Sequence, residues 1–211
     1  MTFIPPEQRE ELKAFLGARL RAPVGLDLLL GGPTAGDARA LLEEVSALST
    51  KIVLRVHDVS AQPAVAAGVA PDELPAIVLT GAASGRVRFL GSPVGLEFQT
   101  LLRSIVDVGR GDTALTAPTK RALRALARDV HLRVFVTPTC PFCPRAAQIA
   151  HQMAVQSARV TADVIEAQEF PSLVKRYRVQ GVPKVVVNET VEFVGTPSEA
   201  GFLAHVLRAA A

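Results

Sequence analysis

Val134-Phe135-Val136-Thr137-Pro138-Thr139-Cys140-Pro141-Phe142-Cys143-Pro144 holds both cysteines of the chain. An apolar run from Leu132 to Val136 reads as a strand leading into this stretch, and helical periodicity leads out of it to about Val155. Two cysteines separated by two residues at a strand-to-helix junction can close a disulfide with each other. The junction also favours a thiolate, because the unpaired N–H groups of a helix start stabilise negative charge. The pattern predicts thiol–disulfide chemistry. Pro141 and Pro144 are expected in the first helical turn, where a missing N–H costs nothing. Phe142 is expected to present an apolar face beside the sulfur.

On both sides of the motif the order of elements repeats, with a period of about half the chain. The first round reads helix Glu7 to Leu20, strand Leu26 to Leu30, a Gly31-Gly32-Pro33 turn, helix Asp37 to Leu48 and strand Ile52 to Val56. A short helical or loop segment follows, then strands Leu74 to Leu79 and Val87 to Leu90, and a helix from Leu96 to about Val106. The second round reads helix Thr119 to about Arg128, strand Leu132 to Val136, the cysteine helix, strand Val160 to Ile165 and helix Pro171 to Arg176. It closes with strands Val182 to Val187 and Val191 to Val194 and helix Ser198 to Ala210. Arg88-Phe89-Leu90-Gly91-Ser92-Pro93 and Glu192-Phe193-Val194-Gly195-Thr196-Pro197 echo one another at corresponding places.

In each round a crossover helix suits parallel pairing of the first strands, and a short turn makes the last two a hairpin. The expected fold is α/β, with two tandem units, each a four-stranded mixed sheet flanked by helices. The expected domains are residues 1–115 and 116–211, hinged at Asp107 to Thr116 with its Gly109 and Gly111.

Composition narrows the partners. Hydrophobic residues are 49 % and charged residues 20 % of 211, which fits a packed globular chain. The net charge of +3 is small, is not gathered into a basic block and comes with a single Tyr and no Trp, so nucleic acid is not an expected partner. No stretch has the length of a membrane-spanning helix. Pro5, Pro6 and Glu7 stand where a secretory leader would need a basic and then an apolar region. The expectation is a cytoplasmic protein whose cysteine pair cycles rather than braces the fold.

The whole chain resembles the prokaryotic protein disulfide oxidoreductases, glutaredoxin-like proteins with two thioredoxin folds in tandem. The resemblance rests on Phe135 to Pro144, on Glu169-Phe170-Pro171, on Tyr177-Arg178-Val179-Gln180-Gly181-Val182-Pro183-Lys184 and on the connector Ile105-Val106-Asp107-Val108. The tandem layout also resembles the amino-terminal domain of the flavoprotein component of alkyl hydroperoxide reductase, which has one silent and one working unit. The resemblance implies that Cys140 attacks a substrate disulfide and that Cys143 resolves the mixed disulfide. It implies that Pro183 is cis and faces the sulfurs, and that the Val182 backbone pairs with a substrate segment like an added strand. It implies a redox-active Cys140–Cys143 disulfide with no bound cofactor or metal. The implied partners are protein disulfides or dithiols and a thioredoxin-reductase-like flavoprotein, in electron transport and redox homeostasis.

Three departures accompany the resemblance. The first unit has no cysteine in its corresponding turn, Gly32-Pro33-Thr34-Ala35-Gly36, although Leu74-Pro75 occupies the place of the active-site proline. Its expected role is structural or docking. Val134 stands where a thioredoxin places a buried acid, leaving Asp163 and Glu166 as substitutes that read as surface charges. Gly195-Thr196-Pro197-Ser198-Glu199 lacks the pattern of a dedicated glutathione site. Other readings are a disulfide-forming or isomerising oxidase, a non-catalytic interaction module with a static disulfide, and a metal site, for which one C-x-x-C supplies too few ligands.

Overall fold

A computed structural model describes residues 2–61 and 68–211. The elements in chain order are α1 (Pro6–Arg19), β1 (Val24–Leu30), α2 (Ala35–Ser46) and β2 (Ile52–Asp58), then, after a 3-10 turn at Pro71–Glu73, β3 (Ala76–Thr80), β4 (Arg86–Leu90) and α3 (Glu97–Arg110). The second round is α4 (Ala117–Arg124), β5 (Val130–Val136), α5 (Cys143–Gln156), β6 (Val160–Glu166), α6 (Pro171–Arg176), β7 (Lys184–Val187), β8 (Val191–Val194) and α7 (Glu199–Ala210). Residues 62–67 of the segment expected as helix or loop after β2 lie outside the described residues.

The strands follow from alternation. Leu26 and Leu28 of β1, and Leu132, Val134 and Val136 of β5, turn to one face and join the main core with α2, α3, α5 and α7. Leu29 and Phe135 turn to the other face, where Phe170, Leu173 and Tyr177 of the α6 region cover them. The helices end where the chain supplies stops. Gly111 closes α3 with φ +64°, a conformation a side chain rarely adopts, and the Ser198 hydroxyl accepts from the Gly201 N–H at the start of α7.

Each half is the expected four-stranded mixed sheet. β1 pairs β2 in parallel and β3 antiparallel, and β3 pairs β4; β5 repeats this with β6 and β7, and β7 pairs β8. The repeat extends to single bonds. Leu74–Pro75 and Val182–Pro183 are both cis, and each proline carbonyl accepts from a left-handed glycine, Gly91 at 2.9 Å and Gly195 at 2.8 Å. The two echoing Gly-Ser/Thr-Pro stretches are therefore the same structural joint used twice.

The halves are not beads on a linker. β4 pairs β6 in parallel, so the two sheets merge into one of eight strands, ordered β2-β1-β3-β4-β6-β5-β7-β8. α3 lies against α5 over this seam. The hinge reading is corrected in part: Asp107 to Arg110 form the last turn of α3, and only Gly111 to Thr116 lies between helices. Gly109 is a packing residue, since a Cβ there would lie 2.4 Å from Leu20 Cδ1 and 3.0 Å from the Ala22 carbonyl oxygen. Gly85 has the same role at the seam, where a Cβ would lie 2.2 Å from the Val160 carbonyl oxygen. Buried His151 of α5 ties the seam from above. Its Nδ1 meets the Ser104 hydroxyl of α3 at 2.8 Å and its Nε2 the Arg88 carbonyl of β4 at 3.0 Å. Burial pushes its pKa down to about 4, so near neutral pH it serves as an uncharged pin.

Candidate active site at the start of helix α5

β5 ends at Val136 and α5 begins at Cys143, leaving six residues to turn the chain. Two backbone bonds shape that turn, Cys140 N–H to the Thr137 carbonyl at 3.2 Å and Cys143 N–H to the Cys140 carbonyl at 3.4 Å. Pro144 occupies the first helical turn, as expected. Pro141 does not: it lies in the turn ahead of the helix, because Phe142 is the cap and Cys143 the first helical residue. The cap is held from the second hairpin by the Thr196 hydroxyl, which donates to the Phe142 carbonyl at 3.0 Å.

Cys140 and Cys143 form a disulfide, with Cα atoms 5.5 Å apart. Cys143 is fully buried and Cys140 is 9 % exposed, while the Phe142 side chain between them stands 68 % exposed. The Cys140 Sγ lies 3.7 Å from the Val182 carbonyl oxygen, just before cis-Pro183. A disulfide sulfur carries no hydrogen, so this is a contact in the oxidised state and a place for the thiol hydrogen in the reduced one. Lys184, next in chain, is buried and donates to the Tyr177 carbonyl at 2.7 Å, anchoring the end of α6 beneath the proline turn.

The acids around the site differ from the sequence expectation. Asp163 and Glu166 are not surface charges: Asp163 is 0 % and Glu166 6 % exposed. Asp163 is engaged at the seam by Arg88 and His131. Glu166 ends β6, with one carboxylate oxygen accepting the Glu169 N–H at 2.7 Å and the other unpartnered. Burial raises its pKa, and the neighbouring Glu169 charge adds to this.

A further acid comes from the first half. Glu97 opens α3, immediately after Leu96, whose N–H bonds the Pro138 carbonyl of the active-site turn at 2.9 Å. It is 2 % exposed, and burial pushes its pKa up to about 7 against a smaller lowering by the Thr100 hydroxyl. Glu97, Glu166, Val136 and Pro138 line one cavity of about 10 Å³, room for about a single water molecule. In the sequence Glu97 reads as an ordinary first-turn helix acid. Only the merging of the two sheets carries it to the cysteine turn.

Glu97 has a thermodynamic signature. A raised carboxyl pKa favours folding fully below its unfolded value near 4.5, and that contribution is lost as pH rises through about 7. Glu97→Gln should therefore match the parent in denaturant melts at pH 4 and exceed it at pH 8, by up to about 3 kcal/mol. Equal stabilities of parent and variant at pH 8 would show that Glu97 is already ionised at no cost.

Among the described residues no three His, Cys, Asp or Glu side chains gather as a metal site, and no helix is long and apolar enough to cross a membrane.

A two-layer turn that presents one cysteine and buries the next, opposite a cis-proline, places the protein among the thioredoxin-fold disulfide proteins. The profile of the thioredoxin domain matches residues 130–208. The thioredoxin of Methanocaldococcus jannaschii is 32 % identical over 71 residues, a third of this chain and 84 % of that protein. The chain belongs to the thioredoxin family. A protein disulfide oxidoreductase from Aeropyrum pernix superposes with a TM-score of 0.90 at 27 % identity, over 100 % of this chain and 95 % of that one. An alkyl hydroperoxide reductase component of Escherichia coli is 27 % identical over 182 residues, 85 % of this chain. The chain spans only 33 % of that protein's length.

Proposed function

We propose that this protein is a thiol–disulfide oxidoreductase acting on protein disulfides through Cys140 and Cys143. The carrying observation is the asymmetric disulfide at the start of α5, with Cys140 9 % exposed and Cys143 fully buried. In the reducing direction the Cys140 thiolate attacks a substrate disulfide, forming a mixed disulfide and expelling one substrate thiolate. Cys143 then attacks the Cys140 sulfur, the second substrate thiolate leaves, and the Cys140–Cys143 disulfide forms. Two electrons pass from the cysteine pair to the substrate, and the two departing thiolates take up two protons.

The surroundings have matching roles in this reading. Pro141 and the exposed Phe142 shape the approach to the sulfur, and Val182 before Pro183 offers its backbone to an extended substrate segment. Glu97 and Glu166, which share a one-water cavity with Pro138 of the cysteine turn, are in this reading the buried acids that exchange protons beside it. Residues 1–115 form a unit without the cysteine pair, with a structural or docking role, and residues 116–211 form the redox unit. The pair works without a bound cofactor and is recharged in the cytoplasm by a thioredoxin-reductase-like flavoprotein. Kinship with the alkyl hydroperoxide reductase component, a protein longer than this chain, supports a reductase partner.

The test is reduction of insulin by the dithiothreitol-charged protein, together with the reduction potential of the Cys140–Cys143 pair. The carrier direction expects insulin turnover and a potential near the thioredoxin and glutaredoxin range, about −200 to −270 mV. A potential near −120 mV, with no reduction by a pyridine-nucleotide-dependent thioredoxin reductase, would assign disulfide formation instead.

A further inference from the structure

We infer that the cleft between the silent turn of the first half and the cysteine turn of the second is a docking groove for a cationic segment of a partner protein. The inference rests on the redox reading only in supposing that the partner is a protein bearing the exchanged disulfide. The groove, of about 540 Å³, has Pro33 and Asp37 of the silent turn and α2 on one wall. Pro138, two residues before Cys140, lies on the other, together with Glu166 and Glu169. Three carboxylates and no Lys, Arg or His line it among the described residues.

An acidic lining alone could be a solvated face, but this one contains unfinished polar groups. Glu166 is buried, and one of its carboxylate oxygens has no partner. The Ser92 hydroxyl, 5 % exposed as a residue, is likewise unpartnered and faces the same cleft. Glu169 spends one oxygen on the Ser92 N–H at 2.7 Å and leaves the other unpartnered. Leaving a buried acceptor unsatisfied costs about 1–3 kcal/mol, more for a charged group. A lysine or arginine entering the groove supplies the missing donors and the missing charge, and the flanking prolines give its aliphatic stem an apolar bed.

The silent unit thereby acquires a function that needs no cysteine. It provides the opposite wall of a groove that reaches Pro138 of the cysteine turn. Its lost turn, Gly32-Pro33-Thr34, is repurposed as a surface.

Two cysteine-free fluorescent peptides, one with arginines and one with glutamates at the same positions in a neutral scaffold, separate this proposal from the redox reading. Fluorescence polarisation with the oxidised protein should show the arginine peptide binding at least about tenfold tighter than the glutamate peptide. Glu166→Gln/Glu169→Gln should erase most of that preference, and so should the exposed charge reversal Asp37→Lys, which leaves the buried acids untouched. Equal binding of the two peptides, or a preference indifferent to all these substitutions, overturns the groove. Insulin turnover is scored separately: a binding preference without turnover supports the groove and sinks the redox reading, whereas turnover without a preference does the opposite.

Discussion

Cys140→Ser is expected to abolish insulin reduction, a loss of at least about a thousandfold. Cys143→Ser is expected to stall instead, holding substrate covalently on Cys140. The asymmetry follows from burial. Cys140 keeps 9 % of its surface exposed and Cys143 none, so Cys140 is the sulfur a substrate can reach first. A serine at position 140 therefore leaves one thiol that no protein disulfide can reach. A serine at position 143 leaves the attack intact and removes the group that resolves it. Non-reducing gels of each variant with oxidised substrate distinguish the two, since only Cys143→Ser should show a band that dithiothreitol collapses. A trapped complex on Cys140→Ser would reverse the assigned roles, and equal turnover by Cys140→Ser and parent would reduce the motif to a static brace.

The place of the motif was legible in the sequence because it is local: a strand, a tight turn and a helix in immediate succession set both cysteines at the helix start. The different roles of the two cysteines came from the family resemblance. The doubling of the fold was legible for a similar reason: two rounds of strand and helix periods, each with a proline ahead of its hairpin, need no long-range information. The acids were not legible. Asp163 and Glu166 read as surface charges because most carboxylates are, and their burial depends on β4 lying beside β6, residues more than seventy positions apart in the chain. Glu97 was missed on the same ground. Nothing in Leu96-Glu97-Phe98 says that the preceding N–H will bond the carbonyl of Pro138. Edge-to-edge merging of two sheets leaves little periodic signature, since a strand buried by a neighbour's edge has the same alternation as one that ends a sheet. Gly109 shows the converse. Glycine in a connector suggests freedom, but here the missing side chain serves close packing inside a helix.

The seam itself supplies the largest expected stability effect. Arg88 of β4 and Asp163 of β6 are direct partners in the parallel register, and their side chains meet in two bonds, Nε to Oδ1 at 2.6 Å and Nη2 to Oδ2 at 2.8 Å. Both are buried, at 2 % and 0 % exposed, and the His131 Nε2 approaches the same carboxylate at 2.5 Å. Arg88 also donates to the Gly68 carbonyl. Burial alone would raise the Asp163 pKa, but the His131 hydrogen bond and the Arg88 charge outweigh it and hold the carboxyl well below its ordinary value. Its stabilisation is therefore present above pH 4 and drains away as pH falls through the depressed pKa, opposite in sign to the Glu97 effect. Removing Asp163 leaves Arg88 a buried cation without a counter-ion, and removing Arg88 leaves Asp163 with His131 alone, so Arg88→Leu and Asp163→Leu should each cost about 3–5 kcal/mol. The double variant removes both charges together and should cost far less than the two singles combined, because a buried ion pair is often replaceable by apolar side chains of similar volume. Guanidinium melts of the parent, both singles and the double close this cycle. A double variant as unstable as the sum of the singles would mean that the two residues act independently. The union of the halves would then rest on the β4–β6 ladder, the α3–α5 contact and the bonds of His151, Leu96 and Ser92 across the seam.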